Sequence, residues 1–301
     1  MAASIEANSI FRVDGIVAVI TGGGTGLGHI MARALALNGA KKVYILGRRL
    51  EVLEEAAKEH GSLVPLQCDV TSKDELQRAV DIIEKDVGYI NLLVANSGVV
   101  GKSPSFDAQA SLPELRQRLF AGSTMESMNE PLNVNVTSAF FTMTAFLELL
   151  DSGNKKALDG GFGKPIQQGI DVPSIQSQVI FTASISGFSR HWVSSPAYLA
   201  SKAAVIQLAK YSSSQLARFG IRVNTIAPGV YPSAMTGKLS NGRKPEEEPV
   251  DHPTFIPARR FGGEEEMAGA ILYLASRSGS YSNGSVLLTD GGRLAVMGST
   301  Y

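Results

Sequence analysis

The stretch Thr21-Gly-Gly-Gly-Thr-Gly-Leu-Gly28 decides the fold, because it joins a predicted buried strand at 17–21 to a predicted helix at 26–38. Glycine at positions 22, 26 and 28 permits positive φ angles and lets the backbone approach a phosphate closely. The helix that follows offers free N–H groups and the positive end of its dipole to a pyrophosphate. The spacing differs from the commoner Gly-x-Gly-x-x-Gly, and a plain tight turn is the alternative. Strand, turn and helix together predict a dinucleotide site, and its candidate contacts are Gly22, Thr25, Gly26, Leu27 and Gly28.

Short apolar runs rich in β-branched residues alternate with longer helical stretches along most of the chain. Strands are predicted at 17–21, 42–46, 63–67, 92–95, 178–182, 222–226 and 286–289. Helices are predicted at 26–38, 50–59, 73–86, 134–150 and 197–218. This alternation predicts an α/β fold, in which one Rossmann-type, doubly wound domain has a seven-stranded parallel sheet with helices on both faces.

Three segments are longer than the connections that this fold needs. Residues 99–131 follow a predicted strand and mix Ser, Pro and charged residues, so this insertion could border a ligand at the sheet edge. Residues 151–177, rich in Gly, Lys, Gln and Pro, are expected to form a surface insertion without a role in chemistry. Residues 231–260 are polar and Pro-rich, which is the composition of a mobile lid over a substrate. We predict no domain boundary.

The composition argues against several classes of protein. Lys and Arg number 28, as do Asp and Glu, so the zero net charge of the 301 residues gives no indication of a nucleic-acid partner. No apolar run approaches the ~20 residues of a membrane span. The polar N-terminus lacks the pattern of a signal peptide, so we expect a cytoplasmic protein. The single cysteine, Cys68, is expected to be a buried, inert thiol, and the four scattered histidines predict no metal site.

The second predicted strand leads into Gly47-Arg48-Arg49 rather than ending at an acid. A carboxylate here would bind the ribose hydroxyls of NAD, whereas a guanidinium suits the 2′-phosphate of NADP. The sequence therefore predicts NADP(H) as cofactor, with Arg48 and Arg49 as phosphate contacts. The alternative, that an arginine only faces solvent at a helix start, applies more readily to Arg49. Asp69, after the third strand, is a candidate to bind the adenine amino group, and a helix cap formed by Asp69 or Thr71 is the alternative.

Tyr198 and Lys202, in the stretch Pro196-Ala-Tyr-Leu-Ala-Ser-Lys202, are four positions apart and so share one face of a predicted helix. An ammonium group beside a phenol favours the phenolate, and we therefore expect Lys202 to lower the pKa of Tyr198. Such a phenol can act as general acid or base near neutral pH. The pair is a weak signal alone but a specific one in combination with the glycine turn. A solvated helical charge is the alternative for Lys202, and the apolar residues after it argue against that.

Together these residues resemble the classical branch of the short-chain dehydrogenase/reductase family, over about the whole of residues 17–292. Residues 21–28 match the family's Thr-Gly-x-x-x-Gly-x-Gly turn, and Asp290-Gly-Gly292 matches its C-terminal signature. Ala95-Asn96-Ser97-Gly98 stands where the family usually has Asn-Asn-Ala-Gly. Arg222-Val-Asn-Thr-Ile-Ala-Pro-Gly229 matches the segment that leads to the nicotinamide. The Pro-Ser-Ala-Met-Thr that follows looks similar to fungal-type reductases and to β-ketoacyl reductases associated with rhamnolipid synthesis.

The resemblance implies which residues form the site. Tyr198 and Lys202 match the catalytic pair. Ser184 aligns with the catalytic serine, with Ser186 as the fallback, although an ordinary hydroxyl at a strand end would look the same. Asn135 aligns with the active-site asparagine; Asn133 is the weaker candidate, and a helix cap is the alternative role for Asn135. Besides the turn and the arginines, the implied cofactor contacts are Asp69, Val70, Asn96, Gly98, Tyr198, Lys202, Gly229, Tyr231 and Ser233.

The implied activity is the reduction of a ketone with NADPH, in which Tyr198 donates a proton to the developing alkoxide and Ser184 hydrogen-bonds the same oxygen. Lys202 is implied to bind the nicotinamide ribose as well, and Asn135 to hold a water that links Lys202 to solvent. The substrate is expected to be a β-ketoacyl or natural-product ketone. The alternatives are an NADP-dependent alcohol dehydrogenase, a non-redox enzyme and an NADP-binding scaffold on the same fold.

Two further expectations concern the substrate and the assembly. His191 and Trp192 lie between the implied catalytic serine and tyrosine, in a segment that in the family borders the substrate. Trp192 could stack on a flat or cyclic substrate, or could equally be a core residue or an oligomer contact. The family often forms dimers or tetramers through two long helices, and the apolar predicted helices 134–150 and 197–218 suit a homodimer or homotetramer.

Overall fold

Seven parallel strands form one sheet in the computed structural model, which describes residues 5–167 and 169–299 apart from the side chain of Lys238. The strands are β1 (Val17–Thr21), β2 (Lys42–Gly47), β3 (Leu63–Gln67), β4 (Leu92–Ala95), β5 (Gln178–Thr182), β6 (Arg222–Pro228) and β7 (Val286–Thr289). Their order across the sheet is β3-β2-β1-β4-β5-β6-β7. The predicted doubly wound, parallel sheet is therefore confirmed.

Helices connect the strands on both sides of the sheet. Those of the described residues are α1 (Ala7–Ile10), α2 (Gly26–Leu37), α3 (Leu50–Ala57), α4 (Lys73–Asp86), α5 (Leu112–Arg116), α6 (Met125–Leu132), α7 (Ser138–Ala145), α8 (Leu147–Leu158), α9 (Pro196–Leu216), α10 (Gly237–Ser240), α11 (Glu264–Ala275) and α12 (Arg293–Val296). The π-helical turns Gln117–Ala121 and Asn133–Thr137 follow α5 and α6, and short 3₁₀ turns occupy Ile185–Gly187, Ala217–Phe219 and Arg277–Gly279.

Alternation of side chains along the strands divides the core into two layers. Val17, Val19 and their equivalents face one side, where α4, α7, α8 and α9 pack on them. Ala18 and Ile20 face the other side and are covered by α2, α3 and α11. Every residue of β1 is buried, which explains its continuous apolar sequence, because a strand inside a parallel sheet has helices over both faces.

The structure differs from the sequence-based predictions at one helix, at one insertion and at one helix that was not predicted. The single helix predicted at 134–150 is wrong, because a π-helical turn precedes α7 and a break at the fully buried Phe146 separates α7 from α8. Helix α8 continues to Leu158, so the predicted insertion 151–177 begins inside a helix. Helix α11 was not predicted, and its buried face, which includes Met267 and Ile271, covers the sheet beside α2.

The strand order places the candidate residues at one edge. The chain winds outward from β1 to β3 and then returns to β4 on the other side of β1. The crevice beyond the carboxyl ends of strands at such a reversal is the usual ligand site of open α/β sheets. The glycine turn, Asn96, Ser184 and Gly229 each follow directly on the carboxyl end of a strand here.

Candidate active site

The turn after β1 presents backbone rather than side chains. Gly22 and Gly26 have φ of +67° and +54°, a region that residues with a Cβ rarely adopt. A Cβ at Gly28 would lie 2.2 Å from the carbonyl oxygen of Gly22, so α2 passes too close to the turn for any larger residue. Thr25 precedes α2 and its side chain makes no capping hydrogen bond, and Leu27 follows in the first turn. The first N–H groups of α2 are therefore open to an anion.

Thr21 and Asn96 fasten this turn to the neighbouring strand β4. The Thr21 hydroxyl accepts hydrogen bonds from the backbone N–H groups of Asn96 (2.9 Å) and Ser97 (3.0 Å). The Asn96 side-chain amide donates to the carbonyl oxygens of Thr21 (2.9 Å) and Gly22 (3.5 Å). The Asn96 side chain therefore shapes the glycine turn, and its predicted contact with a cofactor would add to this role.

Arg48 and Arg49 are exposed just past the end of β2, and neither guanidinium forms an ion pair with another described residue. The turn and this strand end are neighbours, because a Cβ at Gly24 or at Gly47 would contact the same Leu53 side chain. Arg49 directly precedes α3. Two exposed cations near the glycine turn, neither of them in a direct ion pair with a described residue, fit a ribose that carries a phosphate.

Asp69 closes the turn after β3. Its Oδ1 accepts hydrogen bonds from the backbone N–H (3.0 Å) and the hydroxyl (2.7 Å) of Thr71. These hydrogen bonds, and then the charge of Arg48, hold the pKa of the Asp69 carboxyl below its ordinary value. The alternative of a helix cap at Asp69 or Thr71 is wrong, because the Ser72 hydroxyl caps α4. The backbone next to the buried Val70 is thereby held at the sheet edge.

Ser184, Tyr198 and Lys202 meet at the carboxyl end of β5. Tyr198 and Lys202 are one turn apart in α9, and the Lys202 Nζ lies 5.7 Å from the centre of the Tyr198 ring. The start of α9 is fixed by Ser195, whose hydroxyl accepts the Tyr198 backbone N–H (3.4 Å), and by Pro196 in the first turn. The Ser184 hydroxyl interacts with the Tyr198 phenol. The structure thus brings together the three residues that a Tyr-based proton donor needs.

Burial sets the protonation of this cluster. Burial raises the pKa of Tyr198, and the hydrogen bond with Ser184 opposes that rise. Lys202 is 5% exposed, donates from Nζ to the Thr182 carbonyl oxygen (2.9 Å), and has its pKa lowered by burial to about 8. The expectation that Lys202 lowers the pKa of Tyr198 is therefore wrong here, because burial raises that pKa and the opposing contribution comes from Ser184 rather than from Lys202. Tyr198 is a neutral phenol at pH 7 and carries a proton to donate.

Asn135 joins the insertion 99–131 to α9. Its Oδ1 accepts the Val99 N–H (2.8 Å), and its Nδ2 donates to the Val99 carbonyl oxygen (2.9 Å) and to the Ser201 hydroxyl (2.9 Å). A Cβ at Gly98 would come within 3.0 Å of Asn135 Oδ1 and 3.5 Å of Lys202 Nζ, so the amide lies beside the ammonium group. The alternative of a helix cap is wrong, because Asn135 lies inside a π-helical turn that continues into α7.

The two fallback residues are placed less suitably. Ser186 pairs its hydroxyl with that of Ser194 (2.9 Å) and donates its backbone N–H to Ser184 Oγ (3.1 Å). Asn133 is exposed, whereas Asn135 is 2% exposed. Ser184 and Asn135 are therefore the better candidates on geometry.

The segment after β6 returns to the glycine turn. The Gly229 N–H donates to the Thr289 carbonyl oxygen (3.0 Å), which holds the strand end against β7. The Cβ of Ser233 lies 3.8 Å from where a Cβ would stand on Gly26, so Ser233 faces the turn from the opposite side. Tyr231 is 4% exposed and packs in the core, which leaves its backbone to meet a cofactor.

Arginines order the segment 231–260. Arg243 makes paired hydrogen bonds to the carboxylate of Glu248 (2.7 and 2.8 Å). Arg259 donates to the Glu246 and Glu248 carbonyl oxygens, and Arg293 to those of Phe255 (2.9 Å) and Pro253. Among the described residues, Glu248 is the only carboxylate that pairs with Arg243. Guanidinium groups therefore bind backbone carbonyl oxygens of segment 231–260, the predicted lid, and order it.

Sequence reasoning missed three residues that position this site. The Thr182 carbonyl oxygen accepts a hydrogen bond from Lys202, the Ser201 hydroxyl accepts one from the Asn135 amide, and Ser195 caps the start of α9. Ser195 had a visible signal, since Ser followed by Pro is a typical helix start. The other two contacts join residues far apart in the chain, for which a single sequence contains no signal.

Other parts of the molecule supply no rival for this cluster. A cavity of about 680 Å³ lies between the lid and β7, where Tyr231, Arg260 and Asp290 are among its lining residues, and Tyr198 is not. Among residues 5–167 and 169–299, no three His, Cys, Asp or Glu side chains are grouped so that they could hold a metal ion. No helix of this part of the chain has the length and apolar character needed to cross a membrane.

Comparisons with known proteins find relatives that cover almost the whole chain. The family model described as short chain dehydrogenase matches residues 16–158, and that described as Enoyl-(Acyl carrier protein) reductase matches 165–293. The chain is 57% identical to the short-chain dehydrogenase/reductase SAT3 of Stachybotrys chartarum, over 90% of this chain and 100% of that protein. It is 43% identical to PhomF of Diaporthe leptostromiformis, over 99% and 98% of the two chains. The Pseudomonas aeruginosa RhlG/NADP active-site complex superposes with a TM-score of 0.77 at 27% identity, over 95% and 98%.

Proposed function

The chain belongs to the short-chain dehydrogenase/reductase family, and on that premise we propose that it is an NADPH-dependent reductase of ketones with Tyr198 as general acid. Members of this family are oxidoreductases that act on CH–OH and C=O groups. The observation that carries the proposal is the cluster formed by the half-buried Ser184 and Tyr198 and the buried Lys202, in which the Lys202 Nζ lies 5.7 Å from the Tyr198 ring.

The residues at the sheet edge fit a dinucleotide. The glycine turn has no Cβ where a pyrophosphate would approach, and the N–H groups of α2 point the same way. Asp69 and Val70 would meet the adenine, Asn96 and Gly98 the adjoining ribose and backbone, and Gly229 and Ser233 the nicotinamide side. When bound, the reduced nicotinamide supplies a hydride to the carbonyl carbon. Lys202 would hold the nicotinamide ribose hydroxyls through its ammonium group.

NADP(H) is our choice of cofactor because of the charge at the end of β2. Arg48 and Arg49 are exposed and neither forms a direct ion pair with a described residue, although the charge of Arg48 acts on Asp69. No carboxylate stands at Gly47 to bind a free ribose diol. The similar Pseudomonas aeruginosa structure is an NADP complex, which agrees with this choice.

Proton transfer to the substrate oxygen would involve Tyr198 as donor, with Ser184, Lys202 and Asn135 in supporting roles. Tyr198 donates its phenolic proton to the substrate oxygen as that oxygen gains charge, and its raised pKa keeps it protonated until then. The Ser184 hydroxyl hydrogen-bonds the same oxygen and so fixes the carbonyl. Lys202, with a pKa of about 8, is largely protonated at pH 7 and can return a proton to the phenolate. Asn135 lies beside Lys202, and we propose that it holds the water that connects Lys202 to solvent.

We propose a β-ketoacyl or natural-product ketone of secondary metabolism as substrate. The family model that matches residues 165–293 is described as Enoyl-(Acyl carrier protein) reductase, and the chain is similar to a short-chain dehydrogenase/reductase of Stachybotrys chartarum. The same residues would catalyse alcohol oxidation with NADP⁺, which is the second candidate. A non-redox enzyme or a cofactor-binding scaffold has no need of a neutral phenol held beside Ser184 and Lys202.

We further propose a cytoplasmic homodimer or homotetramer. The single cysteine, Cys68, is buried, so the fold relies on no disulfide and suits a reducing compartment. Exposed aromatic side chains on the two long helical regions, Phe140 on α7 and Tyr211 on α9, would be covered by a second copy. Sedimentation of the purified chain measures the assembly, and a monomer at micromolar concentration would refute it.

The test is NADPH consumption with a panel of β-ketoacyl thioesters, aromatic ketones and cyclic ketones. Tyr198→Phe removes only the phenolic proton and should lower kcat by about 10²–10⁴, the usual contribution of a positioned acid. The dissociation constant of NADPH should change far less than kcat in this variant. Tight NADPH binding without consumption on any ketone would instead favour the scaffold or a non-redox reaction.

A further inference from the structure

The loop between Ser184 and Tyr198 is fastened to the catalytic cluster at both of its ends. The Ser186 hydroxyl, two residues after Ser184, is 2.9 Å from the Ser194 hydroxyl and so closes the loop on itself. Ser195 then caps α9 through the Tyr198 N–H. Any side chain carried on this loop is therefore held at a set distance from the two residues that bind the substrate oxygen.

The outer side of the loop is tied to the C-terminal segment. The Arg190 N–H donates to the Gly298 carbonyl oxygen (2.7 Å), and Ser189 forms a β-bridge with Ser299. The Ser189 hydroxyl in turn accepts the His191 N–H (3.0 Å). These contacts order the tip of the loop, so that His191 and the residue after it do not depend on a ligand for their positions.

His191 and Trp192 form a stacked pair at this tip. Their ring centres are 5.1 Å apart and their planes are inclined by 27°. Trp192 is 43% exposed, which excludes the alternative that it is a core residue. An exposed aromatic ring on the ordered loop between Ser184 and Tyr198 presents a flat apolar face to a ligand at little cost in entropy.

The hydrogen bonds of His191 define which ring nitrogen is the donor. Nδ1 accepts the Val193 N–H (3.3 Å), so the neutral ring carries its proton on Nε2. Burial, and then the charge of Arg293, hold the pKa of His191 below its ordinary value, so the ring is neutral at pH 7. Nε2 makes no hydrogen bond with any described residue, and its N–H is free to donate to a ligand.

We propose that His191 and Trp192 select a ketone that is part of, or attached to, a flat ring system bearing a hydrogen-bond acceptor. The ring lies on Trp192, and the acceptor receives the Nε2–H of His191 while the ketone oxygen lies at Ser184 and Tyr198. This inference rests on the proposed reductase function and narrows its substrate class from ketones in general to ring-bearing ketones.

Trp192 is the only tryptophan of the chain, so its emission reports on this loop alone. The enzyme loaded with NADP⁺ is titrated with β-tetralone, with a hydroxylated β-tetralone, and with an open-chain ketone of equal carbon number. We expect saturable quenching by the two bicyclic ketones, about 10-fold weaker binding of the open-chain ketone, and tighter binding of the hydroxylated compound. His191→Leu should remove the advantage of the hydroxyl group, and His191→Gln, which retains an N–H donor, should restore part of it.

Turnover supplies the second measurement. Trp192→Ala should raise the KM of β-tetralone about 10-fold, the scale of one aromatic stacking contact, and change that of the open-chain ketone less than about 2-fold. The kcat should change little, because the residue does not touch the reacting atoms. Tyr281→Ala is the control, since Tyr281 is a fully exposed aromatic residue next to Ser282, whose carbonyl oxygen accepts a hydrogen bond from Arg222 at the amino end of β6.

Three results would overturn the proposal. The first is an equal change of KM for both kinds of ketone, and the second is an emission that no bicyclic ketone alters. The third is a Trp192→Ala variant that changes the oligomeric state and leaves the KM ratio as it was, which would make Trp192 an oligomer contact. If the parent enzyme reduces no ketone, the reductase function fails, and the emission titration still decides whether the pair binds ring-bearing ligands.

Discussion

Replacing Lys202 by Met should stabilise the folded chain at neutral pH while removing its activity. Burial lowers the pKa of Lys202 from 10.5 to about 8. At about 1.4 kcal/mol per pH unit, the ammonium form costs on the order of 3 kcal/mol of folding free energy at pH 7. Met fills similar volume without a charge. It also leaves the Thr182 carbonyl without its Nζ donor, a loss of about 1–3 kcal/mol, so the net gain is smaller than 3 kcal/mol.

The pH dependence of the free energy of unfolding separates the cost of the Lys202 charge from the loss of its hydrogen bond to Thr182. Below pH 8, Lys202 is protonated in both the folded and the unfolded chain, and its cost is constant. Between pH 8 and 10.5 the unfolded chain binds the proton and the folded chain does not, so the stability of the parent rises with pH. Methionine does not titrate, so the stability of the Lys202→Met variant lacks this rise with pH. The stability of Lys202→Met relative to the parent should therefore fall by about 3 kcal/mol from pH 7 to above pH 10.

Urea unfolding followed by the emission of the single tryptophan measures this difference at each pH. Lys210→Met is the matched control, because Lys210 is an exposed lysine of the same helix and its replacement should give no such slope. A difference between Lys202→Met and the parent that stays constant from pH 7 to 10 would refute the argument that burial lowers the pKa of Lys202.

Three further outcomes are expected. Arg48→Ala should weaken NADPH binding at least ~10-fold more than NADH binding, because only NADPH carries the 2′-phosphate; Arg49→Ala is the comparison, and equal losses for both cofactors would remove the phosphate assignment. Glu248→Gln should lower the opening free energy of the lid by about 1–3 kcal/mol in amide hydrogen exchange, whereas the exposed Glu247→Gln should not. Because arginine holds the pKa of Glu248 below its ordinary value, acid should have the same effect on the parent lid as pH falls through that pKa, and a lid protected equally in acid would contradict this. Replacing 166–172, which are exposed wherever the structure describes them, by a Gly-Ser linker should leave kcat nearly unchanged; a folded but inactive variant would show a role in chemistry.

The strands were the most predictable part of the fold. Apolar runs such as 17–21 and 92–95 are short, and each is followed by glycine or a polar residue. A strand that is buried on both faces of a parallel sheet is expected to have such a continuous apolar sequence. The helix predicted at 134–150 was wrong for a tertiary reason. Asn135 bonds to Val99 and Ser201, and this part of the helix takes a π-helical form, which local periodicity does not record.

The candidate site divides in the same way. The glycine turn and the spacing of Tyr198 and Lys202 depend on neighbours within one turn of chain, and both were recognisable in the sequence. Their protonation was predicted with the wrong sign for Tyr198, because a charge four residues away is visible in a sequence and the loss of water is not.

The sequence alone therefore determined the α/β topology, the position of the glycine turn and the placement of Tyr198 and Lys202 on one helix face, since each follows from backbone sterics or helical spacing over a few residues. Only the tertiary structure decided that the Ser184 hydroxyl lies at the Tyr198 phenol while that of Ser186 pairs with Ser194, that Asn135 lies beside Lys202, and that His191 stacks on the exposed Trp192. Those outcomes depend on burial and on hydrogen bonds between distant segments, which arise only when the strands have assembled into one sheet.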